Sequence, residues 1–106
     1  MTMEHRWSAR KPIAMDVELF YAPIGSVPGK TRDVSMEGMF VNTGGVFLPT
    51  HAKVEVSFRT THRRGNHPHR VSAYVVHGNG NGVGLMLRHV DYQDFNALRD
   101  MLRTAA

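Results

Sequence analysis

Two short patterns hold residue types that could recognise a ligand. Arg6 and Arg10 form an Arg-x-x-x-Arg pair, and Asp33-Val34-Ser35-Met36-Glu37-Gly38 reads Asp-x-Ser-x-x-Gly. Arginine presents a planar, permanently charged fork that matches phosphate oxygens and the acceptor edge of guanine. Ten of the thirteen cationic residues are arginine and the formal net charge is +4, which leaves open both an anionic partner and a merely solvated basic surface. The arginine spacing is common in this chain, recurring at Arg59/Arg63 and Arg99/Arg103. The Asp-x-Ser-x-x-Gly run is rarer: chance supplies it in only a few per cent of chains of about this length. Asp, Ser and Gly also favour a plain turn between two strands.

Other chemistries find little support. The chain has no cysteine, which excludes disulfides, thiolate nucleophiles, zinc–cysteine clusters and iron–sulfur centres. His62, His67 and His69 share one segment with Arg63, Arg64 and Arg70 and no carboxylate. Like charges oppose a cation there, so no metal site is expected. There is no Gly-x-Ser-x-Gly elbow, Walker loop or His-Glu-x-x-His. The glycines from Gly78 to Gly84 miss the dinucleotide fingerprint, whose third glycine would fall on Val83 or Leu85, and they lie between strands. No enzyme activity and no cofactor are expected.

The elements that must position these residues are short strands. Met15, Val17 and Leu19 alternate with Asp16 and Glu18, the period of a half-buried strand. Ala22 to Gly29 holds two prolines and two glycines and reads as a loop. Lys30 to Val34 and Gly38 to Asn42 follow as short strands, then Lys53 to Phe58 with Val54, Val56 and Phe58 inward. Thr60 to His69 reads as a polar loop, Arg70 to His77 as a strand, Gly78 to Gly82 as a turn, and Val83 to His89 as the last strand. Phe20, Tyr21, Phe40, Phe47, Phe58 and Tyr74 are assigned mostly to the core. The period then changes: Tyr92, Phe95, Leu98 and Leu102 recur at helical spacing behind Asp91, a suitable N-cap. Short, closely spaced strands point to one small barrel or sandwich with a terminal amphipathic helix. No apolar run approaches the roughly 20 residues that span a bilayer. Met1 to Pro12 has no apolar stretch like a secretory signal, so a soluble, cytoplasmic protein is expected.

Taken together, an arginine pair before the first strand and Asp-x-Ser-x-x-Gly between the second and third resemble the PilZ domain family, bacterial receptors for cyclic di-GMP. The resemblance runs from about His5 to Met101. It implies an all-β domain with a C-terminal helix: a six-stranded antiparallel barrel over residues 13–89, a helix over 91–104 and a flexible N-terminal arm over 1–12. It also implies that Arg6, Arg10, Asp33, Ser35 and Gly38 bind the dinucleotide. On that reading the arginines take the N7/O6 edge of guanine or phosphate oxygens, and Asp33 accepts from the N–H edge. Ser35 bonds a base or shapes the turn, and Gly38 permits a positive φ or a close approach of the ligand. Trp7 is expected to pack on the barrel rim or stack on guanine, and His77 to face the same rim. The implied output is a relay to a downstream protein in motility, biofilm formation or polysaccharide synthesis. Two alternatives stand beside it: a ligand-silent interaction module of the same fold, and a small basic barrel binding single-stranded nucleic acid through exposed aromatics. Neither a membrane nor a specific nucleic acid is expected as partner.

Overall fold

The computed structural model describes residues 9–62 and 65–104. Six strands, β1 (Asp16–Tyr21), β2 (Gly25–Val34), β3 (Gly38–Asn42), β4 (Lys53–His62), β5 (Gly65–Gly78) and β6 (Gly82–Arg88), precede one helix, α1 (Tyr92–Thr104). The strands pair antiparallel in the closed order β1-β2-β3-β6-β5-β4. Closure satisfies the backbone groups that an open sheet would leave at its edges. Alternation decides what fills the barrel: Val17 and Leu19, Met39 and Val41, Val54, Val56 and Phe58, Val71, Ala73 and Val75 all point inward and are buried. Leu48, on the β3–β4 loop, seals one end; Met36, Leu98 and Leu102 join the core from the other.

Two segments expected as loops are strands. β2 begins at Gly25, so only Ala22 to Ile24 turn the chain. Residues 25–29 pair with β1 alone, because β3 pairs from Lys30 onward. A proline is tolerated on such a one-sided stretch, and this accommodates Pro28. The β4–β5 hairpin likewise runs out to His62 and Gly65. Beyond Phe58 and before Ser72 its strands pair only with each other, which accommodates Pro68. Composition marks such segments as breakers, but it cannot show that their second edge has no neighbour.

The helix also differs from expectation. Asp91 caps it as foreseen, its Oδ1 accepting from the Asp94 N–H at 3.0 Å. The buried stripe, however, is Ala97, Leu98 and Leu102; Tyr92 is 80% exposed and Phe95 39% exposed. At 100° per residue, Tyr92 lies opposite Met101 and about 120° from Leu98. Asp94 takes the inward position of the first turn instead, 2.7 Å from His69 Nδ1 on β5, with both side chains only 13% exposed. Phe20 and Phe47 are exposed too, contrary to their core assignment. Phe20 follows inward Leu19 and must point out; Phe47 precedes the plug residue Leu48. Among the described residues no helix is long and apolar enough to cross a membrane.

The two helix faces give a direct test by urea denaturation. Leu98→Ala is expected to cost about 2–5 kcal/mol, the range for a buried leucine truncation. Tyr92→Ala should stay within about 0.5 kcal/mol, as for a surface change.

Candidate functional site

Along β2 the inward residues are Val27 and Thr31, and then Val34, so the parity of the alternation changes. The change is a bulge: Thr31 pairs with Val41 and Asp33 with Phe40, leaving Arg32 as the extra residue. In a regular strand neighbouring side chains point to opposite faces. Here the bulge lets Arg32 Nε donate to Oδ2 of adjacent Asp33 at 2.9 Å. Arg10 Nη1 donates to the other oxygen, Oδ1, at 2.5 Å. The Arg32 guanidinium also lies 4.0 Å from the centroid of the Phe40 ring, a cation–π contact.

The arm reaches Asp33 because its described end is laced to β2. Lys11 exchanges both backbone hydrogen bonds with Val34 at 2.9 Å. Thr31 Oγ1 accepts from the Met15 N–H at 2.9 Å and donates to the Ile13 carbonyl. Lys11 Nζ donates to the Leu102 carbonyl at 3.0 Å, near the negative end of α1. Of the arm expected over residues 1–12, then, Arg10 and Lys11 are fixed against the barrel. Arg6 and Trp7 lie outside the described residues.

Ser35 and Gly38 shape the turn beyond Asp33. The Ser35 Oγ accepts from the N–H groups of Glu37 at 3.1 Å and Gly38 at 3.2 Å and donates to the Gly38 carbonyl at 3.3 Å. The Ser35 N–H donates to that same carbonyl at 2.8 Å. Ser35 is buried and its hydroxyl is committed to the backbone. Gly38 does not have a positive φ. A Cβ there would stand 2.1 Å from the Leu85 carbonyl oxygen, so its missing side chain admits β6 rather than a ligand. Both residues act by holding the corner from which Asp33 projects.

Electrostatics follow from this geometry. Burial alone pushes the Asp33 carboxyl up, but the hydrogen bonds and charges of Arg32 and Arg10 outweigh it and hold the group below its ordinary value of 3.8. Asp33 therefore stays an acceptor-only carboxylate at neutral pH, with guanidinium donors on both sides. Sequence reasoning missed Arg32, since period two sends it to the far face; the switch of inward parity between Thr31 and Val34 was the available signal. The site is an open ledge. A groove of about 940 Å³ exists elsewhere, where β1, β4 and β5 meet around Phe20, Arg59 and Arg70, and includes none of the Asp33 cluster. His69, from the histidine-rich segment, is engaged by Asp94, and among the described residues no group of side chains is arranged to hold a metal.

The PilZ domain family model matches residues 4–104. The fold is similar to that of the Bacillus subtilis inhibitor of motility MotI/DgrA, with a TM-score of 0.78 at 14% identity over 95% of this chain and 51% of that one. This chain therefore spans about half the length of that protein. It is also similar to the PilZ domain of CeSA from a cellulose-synthesizing bacterium, with a TM-score of 0.66 at 25% identity over 91% of this chain and 96% of that one. No curated protein matches the sequence.

A carboxylate whose pKa is lowered on folding stabilises the fold fully above its unfolded pKa, and that contribution is lost as pH falls through the folded value. A carbon-detected NMR titration should place the Asp33 midpoint below 3.8. In the Arg10→Ala/Arg32→Ala double variant the midpoint should move above 3.8, because only burial remains. Ser35→Ala leaves two turn N–H groups without their acceptor and should cost about 1–3 kcal/mol in chemical denaturation.

Proposed function

This chain belongs to the PilZ domain family, and on that premise we propose that it is a cyclic di-GMP receptor whose ledge at Asp33, Arg10 and Arg32 binds the dinucleotide and whose occupancy is relayed to a downstream protein. The observation that carries the reading is the carboxylate held between two guanidinium groups on an open face. Guanine offers paired acceptors, N7 and O6, on one edge and N–H donors on another. Arginine forks answer the first and the Asp33 carboxylate the second. The ligand's two phosphates add a charge that favours the same arginines. Arg6, four residues upstream of Arg10, is the second arm arginine of this reading; Ser35 and Gly38 contribute by holding the corner.

The ledge satisfies its own charges, with Arg10 paired to Asp33. The Arg10 side chain is 47% exposed, and exposed ion pairs contribute only about 0–1 kcal/mol. A doubly charged dinucleotide can therefore displace it at little cost. Turning Arg10 from Asp33 to the ligand moves the residue next to Lys11, which touches the last turn of α1. The relay thus has a physical route from arm to helix, and requires no chemistry. The similar proteins, an inhibitor of motility and a PilZ domain from a cellulose-synthesizing bacterium, suggest the kinds of output such a receptor serves. Single-stranded nucleic acid would call for exposed aromatics among cations. Phe20, the exposed aromatic on β1, shares a groove with Arg59 and Arg70, but its cross-strand neighbours are Ser26 and Glu55, and the groove includes none of the Asp33 cluster.

Titration calorimetry tests the reading. Cyclic di-GMP should give saturable heats, and Arg10→Ala or Asp33→Ala should weaken binding at least about tenfold with an unchanged far-ultraviolet circular dichroism spectrum. Flat heats for the unmodified protein would favour a ligand-silent module.

A further inference from the structure

β1 and β4 separate before β4 ends. Their pairing stops at Val17 and Phe58. N-terminal to Val17 the chain follows β2 instead, and the Met15 carbonyl accepts from the Thr31 N–H at 2.9 Å. β4 continues from Arg59 to His62 with only β5 beside it. Alternate residues of an antiparallel strand aim their N–H and C=O groups to opposite sides. Half of the backbone groups in this stretch therefore face away from β5, and among the described residues no strand lies against them. The groove of about 940 Å³ occupies the fork between the two strands. Met15, Val17 and Phe58, all of inward parity, line its inner side, and Arg59 and Arg70 its outer side.

Charge selects what the fork accepts. From Val56 to Val90 the sequence has no aspartate or glutamate, while Arg59, Arg63, Arg64, Arg70 and Arg88 all fall within it. Arg59 pairs with Pro68 and Arg70 with Ser57, so the two arginines are diagonal neighbours on one face of the hairpin. Both are exposed. The opposite wall carries Asp16 and Glu18, and Asp16 is drawn toward Lys30 on β2, 3.5 Å away. A second copy of this chain would bring its own arginines against these, and like charge on a strand edge deters such pairing. Phosphate groups of a nucleic acid offer acceptors only, so they would leave the edge carbonyls unanswered. A polypeptide in extended conformation answers both halves of the edge.

We propose that the fork between β1 and β4 docks an extended acidic segment of a partner protein, which adds as a strand to the edge at Arg59–His62. One face of that segment sets carboxylates against Arg59 and Arg70; the other lays apolar side chains over Met15 and Phe58. In strand addition the main chain supplies affinity and alternate side chains supply selection. The fork contains none of the Asp33 cluster, so this docking site goes beyond the receptor reading and stands without it.

The probe is a synthetic peptide of about eight residues alternating Glu and Val, within the usual length of a strand. It is titrated into the full chain at about 0.15 M salt and followed by amide NMR. Saturable shifts should centre on the β4 amides from Phe58 to His62, and Arg59→Glu/Arg70→Glu should weaken binding at least about tenfold with the barrel amides unmoved. A second comparison leaves the protein unmodified: methylating alternate peptide nitrogens keeps every charge but breaks the ladder, and should also weaken binding at least about tenfold. Full affinity of the methylated peptide would reduce the fork to a charged patch and overturn strand addition. No saturable binding of the plain peptide, or equal binding of its Lys/Val counterpart, would overturn the proposal. So would a DNA duplex that shifts the same amides at lower concentration. Cyclic di-GMP heats on the same sample report the receptor reading separately, so either can fail alone.

Discussion

The Asp33 carboxylate is held between the guanidinium groups of Arg10 and Arg32, and this contact depends on one additional residue in the backbone of β2. Without the bulge after Thr31, Arg32 and Asp33 would project from opposite faces of the sheet, one into the barrel. Burying either unpaired would cost several kcal/mol, on the order of the penalty for an isolated charge in an apolar core. The bulge places both outside and restores inward parity at Val34, which is fully buried. Stability and site formation therefore call for the same irregularity: the core needs Val34 inward, and the ledge needs Arg32 and Asp33 outward.

Much of the architecture was legible because it rests on local periodicity. Val54, Val56 and Phe58 alternate inward as read, and Asp91 caps α1 as read. The six-stranded antiparallel barrel with its terminal helix follows from such signals together with the resemblance to the family. What escaped depends on which strands are neighbours. Pro28 reads as a loop residue unless β2 is known to have one partner there. Tyr92 and Phe95 read as core unless Asp94 is known to face His69. At the candidate site, the motif pointed to the Asp33 corner and to Ser35 as a residue that shapes the turn, which its hydrogen bonds show; the position of Gly38 against β6 was not legible. Nothing local shows that the β6 backbone fills the space beside Gly38. Arg32 escaped for the opposite reason: a sound local rule, applied across a bulge, sends it to the wrong face.

The arm and the helix are not independent appendages. Lys11 is a backbone partner of Val34, sits beside Arg10 in sequence and donates from its side chain to the end of α1. The first turn of the same helix is held by His69 through Asp94. Polar contacts thus grip α1 at both ends, with Leu98 and Leu102 packed between them. Since one grip belongs to the residue following Arg10, any ligand that redirects Arg10 acts one peptide unit, about 3.8 Å between Cα atoms, from the helix anchor.

Glycine placement supports the same division of labour. Strand glycines ordinarily weaken a sheet, by about 0.5–1 kcal/mol relative to alanine. Three of them lie on one seam here: Gly38 on β3 and Gly82 and Gly84 on β6. Gly38 would meet the Leu85 carbonyl and Gly82 the Val41 carbonyl, at 2.1 and 2.0 Å from an added Cβ. These two let the backbones of β3 and β6 approach closely. Gly84 differs, for the atoms nearest its added Cβ all belong to the ring of His77. A seam that omits side chains where the backbone demands it, and once more where only a ring benefits, is shaped toward the surface as well as the core.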